Sequence, residues 1–301
     1  MTADDAQQLV EQGMARLIAD PQEWDRWAKT LSRFTKYSAG NALLIMIQRP
    51  DATYVAGYST WQSLGRQVQR GEKAIAILAP VTRKVEPDPT ADPVTEPERK
   101  LVGFRTASVF DVSQTSGRPL SVPHPEPLVG NRMADALHRM IPLVGHPVRF
   151  GDTGEAFGYW SPSEGQIVIR ATAPPNHQFK TLLHEWSHSL GVKTVQDIAD
   201  RHRGTEEIIA ETTAYVVAGA LGLDTTEYSK GYVGSWADGD PKAVAQATQA
   251  IGQRVHAIVA TIERAATKDP ALAVLTAPWQ PMKQPEPERK PERAASGGRG
   301  R

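Results

Sequence analysis

The chain has 301 residues, 34 Lys+Arg balanced by 34 Asp+Glu, and no cysteine. That length suffices for two domains of ordinary size, and a balanced charge points to no class of partner. The lack of cysteine excludes disulfides and thiolate metal sites and suits a reducing compartment. No apolar run approaches the roughly 20 residues of a membrane span, and the start, Met1-Thr2-Ala3-Asp4-Asp5, is acidic and unlike a signal peptide. A cytoplasmic protein with no membrane partner is expected.

Residues 24–80 read as two helices followed by an α+β unit. Phe34-Thr35-Lys36-Tyr37-Ser38 leads into a helix ending near Gln48-Arg49-Pro50. Trp61 to Val68 reads as a short helix, Gly71-Glu72-Lys73 as a turn and Ala74 to Leu78 as a strand. From Arg26 to Arg83 there are nine basic residues and only two acidic ones, Asp51 and Glu72. Basic side chains interleaved with aromatics are what a single-stranded nucleic-acid groove needs, since cations neutralise phosphates and rings stack on bases. The candidates are Lys36, Tyr37, Tyr58, Arg66, Arg70 and Lys73. The competing reading is a plain solvated basic face. Phe34, Leu44 and Trp61 read as core.

Residues 84–99 are Pro-rich and acidic and predict a mobile loop. Strand-like text resumes at Leu101–Phe104 and Ala107–Val112. A second Pro-rich stretch supplies a linker over 123–130. Residues 131–141 predict a helix stopped by Pro142. Val148–Phe150 and Gln166–Ile169 predict strands, with Gly158-Tyr159-Trp160 between them. Lys242 to Ala266 places Val244, Ala247, Ile251, Val255, Ile258 and Ile262 on one helical face. The tail 277–301 has a disordered composition; its Arg289, Lys290, Arg293, Arg299 and Arg301 read as solubilising charges.

The most informative stretch is His184-Glu185-Trp186-Ser187-His188, an H-E-x-x-H motif inside an apolar run. On a helix, residues i and i+4 share a face, so both imidazoles aim at one point, as a tetrahedral zinc ion requires. Glu185 is placed to act as general base on water at the metal. A second helix, Glu206 to Val217, carries Glu207 and Glu211 one turn apart. Glu211 falls on the apolar stripe of Ile208 and Tyr215, so it is assigned as the third ligand. Glu207 is left as a partner to a ligand or a helix N-terminal charge, and Glu206 as solvated. One zinc ion per chain is expected, with a fourth position open for water.

Taken together, these stretches resemble the ArdC family of antirestriction proteins. The resemblance rests on Phe34-x-x-Tyr37-Ser38-x-x-Asn41, Gln48-x-Pro50-x-Ala52-Thr53, Trp61-x-x-Leu64-Gly65-Arg66, Gly71-Glu72-Lys73 and Val109-Phe110-Asp111-Val112-Ser113-Gln114-Thr115. In the second half it rests on Gly158-Tyr159, Leu183-His184-Glu185-x-x-His188-Ser189-x-Gly191, Glu206-Glu207-x-x-Ala210-Glu211 and Tyr232-Val233-x-x-Trp236. It covers roughly residues 20–265. It implies an N-terminal single-stranded-DNA-binding domain and a C-terminal zincin-like metallopeptidase domain related to ImmA/IrrE proteins. His184 and His188 match the zinc histidines, Glu185 the general base and Glu211 the glutamate ligand. Asn41 joins the DNA-binding candidates through the matched motif.

The expected architecture is therefore α+β in two domains. Residues 1–122 form an α+β DNA-binding domain and 131–276 a peptidase domain with a small sheet and the H-E-x-x-H helix. The expected function is a single-stranded-DNA-binding zinc metallopeptidase of antirestriction type, acting on a protein substrate that DNA could bring to it. Tyr232 and His202 are candidates for stabilising the oxyanion. Two alternatives are a non-enzymatic DNA-binding decoy with structural zinc and a repair protease acting on DNA-bound proteins.

Overall fold

The computed structural model describes residues 1–84, 99–120, 131–192, 194, 203–223 and 241–276. Residues 85–98 of the expected loop, the 123–130 linker, the 277–301 tail, His202 and Tyr232 lie outside the described residues.

The chain opens with helix α1 (Ala3–Ala19), which sequence periodicity did not single out although its start signal is plain. Thr2 and Asp5 form a capping box, each side chain hydrogen-bonded to the other's backbone N–H at 3.1 and 2.7 Å. Helix α2 (Pro21–Arg33) begins after Asp20, which caps it with Pro21 in the first turn, and buries Trp24, Trp27, Ala28 and Leu31 on one stripe. Helix α3 (Ala39–Gln48) buries residues all round its axis. The reason is its position between two apolar clusters: Leu43 and Met46 join the larger, Ile45 the smaller.

The smaller cluster lies under a three-stranded antiparallel sheet in the order β1 (Val55–Gly57), β4 (Arg99–Asp111), β3 (Ile75–Lys84). The two strands read separately over 101–112 are one continuous strand, β4. The helix expected over Trp61–Val68 is shorter: α4 (Tyr58–Ser63) stops, Gly65 takes a φ of 72°, and β2 (Arg66–Val68) pairs with β5 (Thr115–Gly117). A positive φ at Gly65 breaks the helix and turns the chain into the hairpin-like ribbon. Trp61, Phe34 and Leu44 are buried, as read from the sequence. Asp111 ends β4. Its carboxylate accepts the backbone N–H groups of Thr53, Tyr54 and Ser113, while Gln114 accepts from Asp111 N–H. The Phe-Asp-x-Ser-Gln-Thr segment is thus a structural corner.

The second half begins with α5 (Asn131–Met140). A mixed sheet follows, β6 (Val148–Gly151) parallel to β8 (Gln166–Arg170) and β7 (Gly158–Ser161) antiparallel to it. Then come α6 (Pro175–Gly191), α7 (Arg203–Ala220), α8 (Pro241–Ala266) and α9 (Pro270–Thr276). The stripe read on α8 is buried in full. The larger core runs across both halves: Trp24, Trp27 and Leu31 share it with Leu182, Tyr215, Val216, Ile251 and Val255. Tyr215 donates to Asp25 at 3.0 Å, and Lys36 pairs with Glu263 on α8 at 3.4 Å. Among the described residues no helix is long and apolar enough to cross a membrane.

Candidate metal centre and nucleic-acid face

The candidate metal centre is built where α6 and α7 pack. The order of contacts, Lys180 with Glu211, His184 with Glu211 and Glu207, His188 with Glu207 and Glu206, shows the two helices running antiparallel. The buried apolar residues Phe179, Leu182, Leu183 and Trp186 hold α6 in the core, so the Lys180-His184-His188 stripe is turned toward α7.

The Nε2 atoms of His184 and His188 lie 3.1 Å apart, and the Glu207 carboxylate oxygens are 3.3 and 3.5 Å from them. These three side chains are the group of potential ligands that converges among the described residues. Tetrahedral zinc with bonds of about 2.0–2.1 Å holds its ligand atoms about 3.4 Å apart. A triangle with edges of 3.1, 3.3 and 3.5 Å fits one face of that tetrahedron. Glu207 is also the most open of the three, with 42% of its side chain exposed, so the remaining coordination side faces solvent.

The three glutamates meet partners other than those the sequence reading gave them. Glu211, assigned as third ligand, instead accepts from Nδ1 of His184 at 3.2 Å and pairs with Lys180. Glu207, left as an outer partner, is the carboxylate that reaches both Nε2 atoms. Glu206, read as solvated, is 7% exposed and meets Nδ1 of His188 at 3.4 Å. The apolar stripe correctly turned Glu211 inward. It could not show at which height along α6 each carboxylate arrives, because that depends on the antiparallel packing. Lys180, four residues before His184, was the available signal that Glu211 has another partner.

Burial lowers the His184 imidazole, but hydrogen bonds to Glu207 and Glu211 outweigh it and raise it to about 10. His188 rises in the same way, burial being opposed by Glu206 and Glu207. Glu207 is held well below the ordinary carboxylate range, first by its hydrogen bond to His184. Three carboxylates drawing protons onto two imidazoles mark a cluster that seeks positive charge, which a divalent cation supplies. Glu185, next to His184 in sequence, is buried and feels the charges of both imidazoles and of Glu207. Burial raises it despite the two imidazoles, and its carboxylate accepts the backbone N–H of Trp160 on β7. Trp160 is itself anchored to the end of α6 through its indole N–H to Val192 O at 2.9 Å.

The nucleic-acid candidates divide sharply. Asn41 is buried and clamps β3, its side chain bonding Leu78 O at 2.9 Å and Leu78 N at 2.8 Å. Tyr37 donates to Val55 O, Arg66 to Thr115 and Arg118 O, and Lys36 is the partner of Glu263. Asn41, Tyr37 and Arg66 are thus bonded within the fold, while Lys36 makes a half-exposed surface pair. Much of the basic excess is spent likewise: Arg26, Lys29 and Arg49 pair with Glu23, Asp25 and Asp51, and Arg33 caps Ala52 O. Tyr58, Arg70 and Lys73 stay exposed. Tyr58 and Arg70 line an open depression of about 910 Å³ with Gln67, Val68, Gln69, Phe110, Ser116 and the acidic Glu72. Gln67 and Phe110 were not among the sequence candidates; Gln67 donates to the Tyr58 hydroxyl.

Residues 6–110 match the family model described as the N-terminal domain of anti-restriction factor ArdC. The fold is similar to that of the antirestriction ArdC protein from the R388 plasmid. Its metal-free crystal structure gives a TM-score of 0.55 at 21% identity, over 90% of this chain and 97% of that one. Its Mn(II)-bound structure gives 0.54 at 21% identity, over 84% and 97%. An uncharacterized protein of Bacillus anthracis is 26% identical over 256 residues, 72% of this chain; the chain spans only 43% of that relative's length. The domain match over residues 6–110 and the shared fold both support the resemblance to the ArdC antirestriction proteins.

Proposed function

We propose that the chain is a DNA-binding, metal-dependent peptidase of antirestriction type, with a zincin-like second half. The observation that carries the reading is the convergence of His184, His188 and Glu207 at ligand spacing beside the buried carboxylate of Glu185. Two imidazoles and one carboxylate suit zinc and accept Mn(II), the ion named for the R388 ArdC structure. Such an ion supplies Lewis acidity, polarising a peptide carbonyl and making a water acidic enough to lose a proton near neutral pH.

The chain's own residues do the rest. Glu185, raised by burial, takes the proton from water and passes it to the leaving nitrogen. The Trp160 N–H fixes the direction of its carboxylate. The open side at Glu207 admits substrate. On the first half, Tyr58 offers a ring face and Arg70 a cation at the edge of one depression, which fits a base and its phosphate in single-stranded DNA. DNA would bring the peptidase to proteins bound on the same strand.

The test uses the full chain and Glu185→Gln, a near-isosteric change. Bound metal and single-stranded-DNA affinity are expected to be unchanged in the variant. Protection of unmodified DNA in a restricting host is expected to be lost. Full protection by Glu185→Gln would favour the DNA-binding decoy with structural metal.

A further inference from the structure

The metal-site reading accounts for Nε2 of both histidines and leaves Nδ1 of each to be explained. For His188 the partner is Glu206, and Glu206 is in turn held by a residue of another helix. Arg254, on α8, grips it with two bonds, Nη1 to Oε1 at 2.7 Å and Nη2 to Oε2 at 3.1 Å. The same Nη1 lies 3.3 Å from Ser187 Oγ on α6. Arg254 is only 6% exposed and Glu206 7%.

A buried ion pair is weak support for stability, because desolvation of two charges offsets their attraction. A hydrophobic pair would fill the same space at no electrostatic cost. The local sequence is nevertheless shaped around the guanidinium. Gly191, three residues after His188, is where it passes: a Cβ there would stand 1.7 Å from Nη2 and 2.4 Å from Cζ. Ser187, one residue before His188, offers the hydroxyl. Three helices thus converge on one imidazole.

We propose that Arg254 is a positioning residue of the metal centre: by fixing the Glu206 carboxylate against His188 Nδ1, it sets the ring and tautomer that present Nε2 to the ion. This inference rests on the metal-site reading above. It makes α8, whose Arg254 lies 48 residues after Glu206 in sequence, part of the centre. Carboxylates behind ligating histidines commonly act this way, and their loss weakens metal binding about 10–100-fold. The forked geometry matters as much as the charge, since the shorter lysine carries a compact ammonium and does not reproduce the planar two-nitrogen grip on both Glu206 oxygens.

The experiment measures Zn²⁺ and Mn²⁺ affinity by competition with a chromophoric chelator, on the full chain, for wild type, Glu206→Gln, Arg254→Lys and the double variant. Thermal unfolding of the metal-free forms is followed in parallel, and affinities are read well below each midpoint. Each single variant is expected to weaken binding about 10–100-fold. The double variant should be no weaker than the worse single one, because both changes break the same relay. A purely structural Arg254 would lower the midpoints and leave affinity unchanged, which overturns the proposal. Additive losses in the double variant would also overturn it. A wild type that binds neither ion would remove the metal-site reading itself, and this inference with it.

Discussion

Gly191 and Arg254 compete for the same space: the position a Cβ would take on Gly191 is 1.7 Å from the Arg254 Nη2 atom. The glycine of the H-E-x-x-H-S-L-G segment is therefore needed for passage of a side chain from α8. Gly191→Ala should displace Arg254 from Glu206. Overpacking of this kind typically costs about 1–3 kcal/mol. Urea unfolding with and without zinc checks it: the metal-free form should lose stability, and the zinc-dependent gain should shrink. A variant as stable as wild type, with full zinc affinity, would show that the guanidinium can pass elsewhere.

The two ligand assignments, Glu207 or Glu211, separate in metal content. Glu207→Gln removes the carboxylate facing both Nε2 atoms, so bound metal should fall to background after dialysis. Glu211→Gln leaves that triangle intact and disturbs only the His184 Nδ1 partner, so affinity should drop about 10–100-fold without being abolished. Elemental analysis together with chelator competition distinguishes the two. The opposite ranking would restore Glu211 as the ligand.

Asn41 and Arg70 should fail in different assays. Asn41→Ala leaves the partly buried Leu78 N–H and C=O without their side-chain partner, at about 1 kcal/mol per lost bond. Its single-stranded-DNA affinity, measured on folded protein, should stay at the wild-type level. Arg70→Ala should leave the unfolding midpoint in place, weaken DNA binding and reduce the slope of log affinity against log salt by about 1. Fluorescence anisotropy across a salt series reads both. Equal losses of DNA affinity in the two variants would mean the interface lies elsewhere.

Asp111 predicts an acid limb. Burial raises its carboxyl, but donors from Ser113, Tyr54 and Thr53 outweigh it and hold the group below its ordinary value. A carboxyl lowered by folding contributes stability above its unfolded pKa, and the contribution disappears as pH falls through the folded pKa. Asp111→Asn should thus be clearly less stable than wild type at neutral pH and converge with it in acid. Denaturant midpoints of both proteins across that range supply the test; a gap that does not change with pH would rule the carboxylate charge out.

Much of this was written in the chain. The i, i+4 histidines, the apolar run around them and the stripe on α8 needed only helical periodicity, and each is observed. The contacts that local pattern did not show share a cause. Which side of one helix Glu206, Glu207 and Glu211 face is local, while the partner each meets depends on how that helix packs against α6. Tyr37, Asn41 and Arg66 look like exposed polar residues in a basic segment. They are bonded to Val55, Leu78 and Thr115 backbone or side-chain atoms that lie 18 to 49 positions away. Such long-range bonds leave no local pattern. The helix expected through Val68 ended early because Gly65 takes a conformation that composition alone does not announce.

Because Trp24, Trp27 and Leu31 lie in the same apolar cluster as Tyr215 and Val255, the first helices and the helices of the candidate metal site are expected to unfold as one cooperative unit. A fragment cut after residue 120 would present the tryptophan face of α2 bare to water and invite aggregation. In the whole chain the consequence is thermodynamic. A nucleic-acid strand gripping the first half and an ion gripping the second would draw on one unfolding transition, each raising the melting temperature of the other's half.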